Sequence, residues 1–145
     1  MTNIFEKTYA QVQEAKKSYD TATTDEAKAA TFTLYHEVLD PIKALGAEAC
    51  RIWREYEISR NSGNIYLDIN DVVWDKDVDE LIACMKENGI EHFTFSSTWS
   101  SAVETAWLFQ KAGCRLEGLI EINSQHKDFM SDEHEKAHAY LFGLN

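Results

Sequence analysis

The fold is decided by residues 63–71, which read Gly63-Asn64-Ile65-Tyr66-Leu67-Asp68-Ile69-Asn70-Asp71. Three aliphatic residues, Ile65, Leu67 and Ile69, alternate there with Tyr66 and Asp68, which is the two-residue period of a strand with one buried face. Upstream of this stretch, apolar residues instead recur every three to four positions, as in amphipathic helices. The change of period near Gly63 therefore predicts a helical first part followed by a part that contains a sheet.

Three helices are predicted upstream of this stretch, over residues 2–21, 24–38 and 40–61. Thr2 is a candidate N-cap for the first helix, because a hydroxyl oxygen can accept the free backbone N–H groups of the first turn. Pro41 separates the second helix from the third, since the residue before a proline disfavours helical geometry. The alternative is one long helix from residue 24 to residue 59, kinked at Pro41.

Strands and helices alternate downstream. The predicted order is a strand at 65–69, a helix at 75–88, a strand at 93–95, a helix at 101–112, a strand at 114–122 and a helix at 131–142. Strands joined by helices of about a dozen residues indicate crossover connections and parallel pairing. The expected fold is α+β with an α/β-like second half, in which N-terminal helices pack on a small three-stranded, at least partly parallel sheet. Residues 1–145 are expected to form a single domain, with a helical segment at 1–60 and a βαβαβα segment at 65–145.

The charge of the chain is negative and unevenly distributed. Of the net charge of −11, residues 1–60 carry −2 and residues 61–145 carry −9. Such a field repels nucleic acid and anionic membranes, so no direct nucleic-acid binding and no membrane association are expected. No apolar run approaches the roughly 18 residues that span a bilayer, and the N-terminus lacks the pattern of a signal peptide, so a cytoplasmic location is expected. Cys50, Cys84 and Cys114 form no C-x-x-C pair, and buried free thiols are the expectation.

An acidic surface is the leading functional feature of the sequence. Between residues 68 and 91 only Lys76 and Lys86 are basic, against eight acidic residues. The predicted interaction face consists of Asp68, Asp71, Asp75, Asp77, Asp79, Glu80, Glu87 and Glu91. The sequence thus favours a non-enzymatic interaction protein that binds a basic protein partner, one form of which is a decoy for a DNA-binding protein.

A second hypothesis concerns the loops that follow the predicted strands. Ligands of crossover sheets bind beyond the carboxyl ends of the parallel strands, where helix N-termini offer free N–H groups. The candidate pocket residues in these loops are Asp71, Trp74, Ser97, Thr98, Trp99, Asn123 and His126. The corresponding function is a small-molecule or metal-dependent enzyme, for which the loops supply hydroxyl groups and the tryptophans supply walls.

A metal-binding pattern occurs near the end of the sequence. His134-Glu135-Lys136-Ala137-His138 fits H-E-x-x-H, which on a helix places two imidazoles on one face for zinc. Residues 139–145 contain no histidine or acidic side chain that would complete a three-ligand set. His134 and His138 are therefore weak metal candidates on an expected solvent-exposed helix, and no cofactor is expected.

Residues 101–118 (SAVETAWLFQKAGCRLEG) carry a likeness to a known superfamily. This segment resembles the late helix-to-strand segment of GNAT-superfamily acetyltransferases. Those enzymes hold acetyl-CoA on a basic, glycine-rich turn after a central strand, whereas Ile69 is followed here by Asn70-Asp71. The resemblance implies a related scaffold without acetyl-CoA binding. The whole sequence is also similar to uncharacterised small proteins of Gram-positive gut bacteria and their mobile elements.

Overall fold

The computed structural model describes residues 3–144. Its helices are α1 (Ile4–Thr21), α2 (Asp25–Glu37), α3 (Asp40–Ala44), α4 (Ala47–Asn61), α5 (Asp75–Glu87) and α6 (Ala102–Lys111). Its strands are β1 (Leu67–Ile69), β2 (His92–Phe95), β3 (Arg115–Lys127) and β4 (His134–Gly143). Both strand pairing and helix packing place the chain in the α+β class, as predicted.

The sheet has four strands in the order β1-β2-β4-β3. β1 and β2 run parallel and are joined through α5, which confirms the predicted crossover. β4 runs antiparallel to both β2 and β3 and lies between them. The sheet is therefore mixed, and the prediction of three strands is wrong by one.

The strand that was not predicted is β4, which lies where a helix was predicted at residues 131–142. Glu135, Lys136 and Ala137 are good helix formers, and this local preference gave the helical prediction. β4 instead pairs on both edges, and Ala139 and Phe142 are buried against the neighbouring elements. Pairing of two flanking strands and burial of Phe142 outweigh a propensity difference of a few tenths of a kcal/mol per residue.

α1 and α2 begin and end close to the predicted positions, whereas the single helix predicted over residues 40–61 is divided at Leu45 and Gly46 into α3 and α4. Asn3 caps α1, since its side chain accepts hydrogen bonds from the N–H groups of Phe5 and Glu6 at 2.9 and 3.2 Å. The proposed cap Thr2 lies outside the described residues. Thr24 caps α2 as expected. The alternative of one helix over 24–59 is wrong: α3 ends at Ala44, and Gly46 has φ of +106°, a left-handed conformation that favours glycine.

The core contains a cluster of phenylalanine rings on one face of the sheet. Phe93 and Phe95 of β2, Phe142 of β4 and Phe109 of α6 are fully buried, with ring centroids 5.0–5.7 Å apart. Thr94 must point to the opposite face, because successive side chains of a strand alternate. That second face is the one covered by α4. It therefore combines polar strand residues with a helix above them.

The remaining helices pack outward from α4. α4 contacts β1 and β3, α1 packs on α4, and α2 packs on α1. Phe5 and Val12 of α1 are fully buried, and the Phe5 ring lies 6.0 Å from that of Tyr56. The expected packing of N-terminal helices on the sheet is thus direct for α4 and indirect for α1 and α2. Within residues 3–144, no helix has both the length and the hydropathy that crossing a membrane requires.

Candidate functional site

A polar cavity of about 260 Å³ lies between α4 and the sheet face that carries Asp68. It opens at the carboxyl ends of β1 and β2, which is where ligands bind in sheets with parallel strands. Its walls come from α4, from the loops after β1 and β2, and from β3 and β4. The lining residues are Arg54, Glu55, Ile58, Ser59, Ser62, Asn64, Asp68, Asn70, Asp71, Ser96, Ile122, Asn123, Ser124, Gln125 and Ala137.

Asp68 is held in the cavity wall by a chain of hydrogen bonds. Its Oδ1 accepts a hydrogen bond from Thr94 Oγ1 and its Oδ2 accepts one from Ser96 Oγ, both at 2.7 Å. Ser96 Oγ in turn accepts a hydrogen bond from Asn70 Nδ2 at 2.8 Å. Asp68 as a whole residue is only 7% exposed, so these donors replace the water that its carboxyl group would otherwise contact.

Glu55 is the second buried acid of the cavity, also 7% exposed. α4 places it one turn before Ser59, whose hydroxyl donates to the Glu55 carbonyl oxygen at 2.7 Å and accepts from the Asp68 N–H at 2.9 Å. Ser59 thereby fixes the helix against β1. The consequence is that the Glu55 and Asp68 side chains line the same cavity.

Burial raises the pKa of both carboxyl groups. For Asp68, desolvation outweighs the opposing hydrogen bonds from Thr94, Ser96 and Asn70. For Glu55, desolvation is again the largest cause, and the negative charge of Asp68 raises the pKa further. Arg54, the Asn70 backbone N–H and Arg51 act in the opposite direction on the Glu55 pKa. Each acid therefore binds its proton more tightly than it would in water.

The far wall of the cavity is built by a pair of asparagines. Asn64 Nδ2 donates to the Asn123 carbonyl oxygen, and the Asn123 N–H donates to Asn64 Oδ1, both at 2.8 Å. Asn123 Nδ2 also donates to the Ser62 carbonyl oxygen at 2.9 Å. The Asn64 side chain thus pairs with β3 as a strand backbone would, and it fixes the turn after α4 to the edge of the sheet.

The mouth of the cavity is bordered by Arg54 and Asp71. The Arg54 side chain is 68% exposed, and its Nη2 lies 3.6 Å from Glu55 Oε1. A shallower depression shares Arg54 and Asp71 and is further lined by Cys50, Arg51, Val72 and Trp74. The two hollows therefore meet at these two side chains.

The predicted loop residues divide into two groups. Asp71 and Asn123 line the cavity. Trp74 lies in the neighbouring depression and is 67% exposed. Ser97, Thr98, Trp99 and His126 do not line the cavity; Ser97 Oγ instead accepts the Trp99 N–H at 3.2 Å. The strand ends thus do converge on a hollow, with Asn70, Ser96, Ser124 and Gln125 in its wall in place of the expected tryptophans.

Glu55, the buried acid that α4 contributes to the cavity, was not among the residues predicted from the sequence. Glu55 was not selected because it lies in a helix and not in a strand-end loop. Its signal is positional: it falls between Ile52 and Ser59 on the side of α4 that is buried. A charged residue inside a buried helical stripe requires a partner or a polar cavity.

Seven of the eight acids of the predicted interaction face are exposed or half-buried. Asp68 is buried, so its assignment to an exposed interaction face is wrong: its side chain points to the face under α4. Asp71, Asp75, Asp79, Glu80, Glu87 and Glu91 are exposed and Asp77 is half-buried. In the described part of the chain none of these seven acids forms an ion pair.

The H-E-x-x-H pattern does not form a metal site of the expected kind. His134 and His138 lie on β4, where four residues span about 13 Å, not one helical turn. Two imidazoles must approach within about 2 Å of a shared zinc ion. His134 Nδ1 instead lies 2.7 Å from the Ser124 carbonyl oxygen. No group of three or more His, Cys, Asp or Glu side chains within residues 3–144 is arranged to hold a metal ion.

Comparison with known proteins places the cavity within a family domain. The family model described as "Domain of unknown function (DUF7698)" matches residues 51–144, a range that contains every residue lining the cavity. No curated protein and no solved structure matches the chain. Because the family match covers well over half of the 145 residues, the chain belongs to the DUF7698 family.

Proposed function

We propose that the protein binds a small polar molecule in the cavity between α4 and the sheet. The observation that carries this proposal is the burial of two carboxyl groups, Glu55 and Asp68, in the wall of one cavity. Acidic side chains are almost never buried without a specific partner, and ionisable groups with perturbed pKa values concentrate at functional sites. The position at the carboxyl ends of β1 and β2 supports the same conclusion.

The same geometry supports acid–base chemistry on the bound molecule. A carboxyl group whose pKa is raised keeps a proton that it can donate, and its neighbour can accept one. Asp68 is oriented by hydrogen bonds from Thr94 and Ser96, whereas Glu55 has the Asn70 N–H and the exposed Arg54 as neighbours. Glu55 is therefore the proposed proton-transfer group, and Asp68 is the proposed positioning group.

A fragment screen by ¹⁵N NMR tests ligand binding. We expect saturable shifts of the amide signals of Asp68, Asn70, Ser96 and Asn123 with compounds small enough for the cavity. Glu55→Gln preserves size and removes the charge, and Glu80→Gln is its control because Glu80 is exposed on α5 and does not line the cavity. Failure of every fragment to shift these four signals would contradict the proposal.

A second proposed function is the docking of a basic protein surface on α5. The specific observation is that Asp75, Asp79, Glu80 and Glu87 are exposed along one short helix and free of ion pairs in the described part of the chain. Complementary charge increases the association rate and is weakened by salt. The proposed partner is therefore a protein with a lysine- or arginine-rich surface.

A comparison of two charge-neutralised variants tests this docking. Changing Asp75, Asp79, Glu80 and Glu87 to the corresponding amides removes four charges from α5. Changing Glu14, Asp20, Asp25 and Glu26 to amides removes the same number from the exposed surface of α1 and α2 and serves as the control. We expect only the α5 variant to lose a partner captured at low salt, and a captured partner that both variants retain would contradict the docking.

The cellular setting is also a proposal. A cytoplasmic location would keep the free thiols Cys50, Cys84 and Cys114 reduced. An origin on a mobile element and a scaffold shared with GNAT acetyltransferases rest on the sequence resemblances alone. Cell fractionation tests the location.

A further inference from the structure

We infer that the cavity selects a small organic cation, bearing an ammonium or guanidinium group, over neutral and anionic molecules of the same size. This inference rests on the proposed ligand-binding function and adds the chemical class of the ligand. It derives from the charges, the free hydrogen-bonding capacity and the apolar part of the cavity wall.

The charges of the wall are predominantly negative. Among the lining residues the acids are Glu55, Asp68 and Asp71, and the basic residue is Arg54. The Arg54 side chain is largely exposed, so water screens its charge, whereas Glu55 and Asp68 are both buried. An anion that entered would meet two poorly screened like charges whenever both carboxyl groups are ionised, which disfavours anionic ligands.

The buried carboxyl groups retain acceptor capacity. A carboxylate offers about four lone-pair sites, and hydrogen bonds from the Thr94, Ser96 and Asn70 side chains leave at least one of them free on Asp68. Arg54 approaches Glu55 no closer than 3.6 Å, which is longer than a charge-assisted hydrogen bond. An ammonium group has three donors and a guanidinium five, so either can fill the free acceptor sites that a neutral alcohol would fill only in part.

The shape and the remaining wall favour an organic cation over a metal ion. Ile58, Ile122 and Ala137 provide apolar surface for a short carbon chain. The cavity of about 260 Å³ equals the space of roughly nine liquid waters, enough for a small amine. The three acids of the cavity are not arranged to hold a metal ion, and neither is any other group of three His, Cys, Asp or Glu side chains within residues 3–144.

Cation binding is expected to release protons. Arg51, Arg54, Asp68 and Asp71 are the charged groups around Glu55, and burial raises the pKa of Glu55 and Asp68 despite the two arginines. A bound cation stabilises the ionised carboxylates and so lowers both pKa values. Affinity should therefore increase as the pH rises through the raised pKa values of the free protein.

The experiment uses three probes of equal chain length, butylammonium, butan-1-ol and butyrate, titrated into the ¹⁵N-labelled full chain. We expect saturable shifts at Asp68, Asn70 and Asn123 with butylammonium, and an affinity at least tenfold weaker for the other two. Glu55→Gln should weaken butylammonium binding at least tenfold, and Glu14→Gln, at an exposed position of α1 that does not line the cavity, should leave it unchanged. Asp71→Asn, at an exposed position, provides a second cavity variant should Glu55→Gln impair folding, and it should weaken binding severalfold.

The outcomes separate the two proposals. Equal affinity for butan-1-ol or butyrate at the same amides would overturn the cation selectivity and leave ligand binding in the cavity intact. Binding that neither cavity variant weakens would overturn the assignment of the carboxyl groups as the recognition element. No shift at these amides with any of the three probes, together with a negative fragment screen, would overturn the proposed function itself.

Discussion

Glu55 and Asp68 show how single residues give this sheet a polar interior. Each carboxyl group lies in the layer between α4 and β1, where an apolar side chain would pack without any desolvation cost. Asp68 is compensated by two hydroxyl donors and Glu55 by the Asn70 N–H and nearby arginines. Because removal of one donor or acceptor leaves a buried partner atom unsatisfied, each member of the network supports the rest.

The contribution of Glu55 and Asp68 to the stability of the protein should decrease as the pH rises through the acidic range. The unfolded groups titrate near 3.8 for Asp68 and 4.5 for Glu55, and the folded pKa values are higher. Below the unfolded values this contribution is fully present, and it is lost as the pH rises through the folded values. Urea unfolding at a series of pH values measures it. Glu55→Gln should flatten the profile, whereas an unchanged slope would contradict the raised pKa.

The cysteines should differ sharply in reactivity. Desolvation raises the pKa of Cys114 to about 11, and this residue is buried, whereas Cys50 is exposed, contrary to the expectation of three buried thiols. A thiol reacts as the thiolate, so Cys50 should react with a disulfide reagent in the native state and Cys114 only after unfolding. Mass spectrometry of partly labelled protein identifies the sites. Early labelling of Cys114 would show that this part of the core opens.

At the level of elements, the parallel unit was predictable and the final hairpin was not. The structure confirms the helix predicted from the i, i+3, i+4 pattern of Val78–Met85 and the strand predicted from the phenylalanines of β2. It confirms the first strand only at Leu67–Ile69, where all three residues are buried. Ile65 lies outside that strand and is 84% exposed, so the expected single buried face is wrong. β4 carries helix-forming residues, and only its pairing with β2 and β3 makes it a strand. The cavity was predictable only in part. The loops at the strand ends follow from the topology of the parallel unit, but the position of Glu55 depends on how α4 packs on the sheet, which local sequence does not show.

The Asn64–Asn123 pair should contribute measurably to the packing of α4 on β3. Asn64→Ala removes two hydrogen bonds to backbone groups and leaves the Asn123 N–H without its partner. We expect a loss of about 1–3 kcal/mol in the free energy of unfolding, because unsatisfied backbone groups have this cost. Chemical denaturation measures it. Gln125→Ala, an exposed position of the same strand, is the control and should change stability by less than about 0.5 kcal/mol.

On the scale of the whole molecule, one core joins the family domain to the helices that precede it. The family match begins at Arg51, yet Phe5, Val12 and Ile42 are fully buried in the same cluster as Ile52 and Tyr56. α2 contributes no fully buried residue, and it contacts this core through the half-buried Tyr35 and through α1. Within the first 50 residues, α1 and α3 therefore contribute buried side chains to the core and should contribute more to stability than α2, which lies at its edge.

A pair of phenylalanine substitutions should expose this difference. Phe5→Ala removes a fully buried ring and should lower the free energy of unfolding by about 3–5 kcal/mol. Phe32→Ala removes a ring of α2 that is 57% exposed and should cost less than about 1 kcal/mol. Thermal unfolding followed by circular dichroism compares the two. Similar losses would show that α2 packs more closely on the core than its exposure indicates.

The inner position of β4 bears on how the chain assembles during synthesis. The ribosome releases β1, β2 and β3 first, yet β3 is joined to the sheet only through β4, so it cannot pair until residues 134–143 have left the exit tunnel. A nascent chain at that stage presents unpaired edges of β2 and β3, the state in which strands associate with other chains. The sheet is therefore completed only after residues 134–143 have been synthesised.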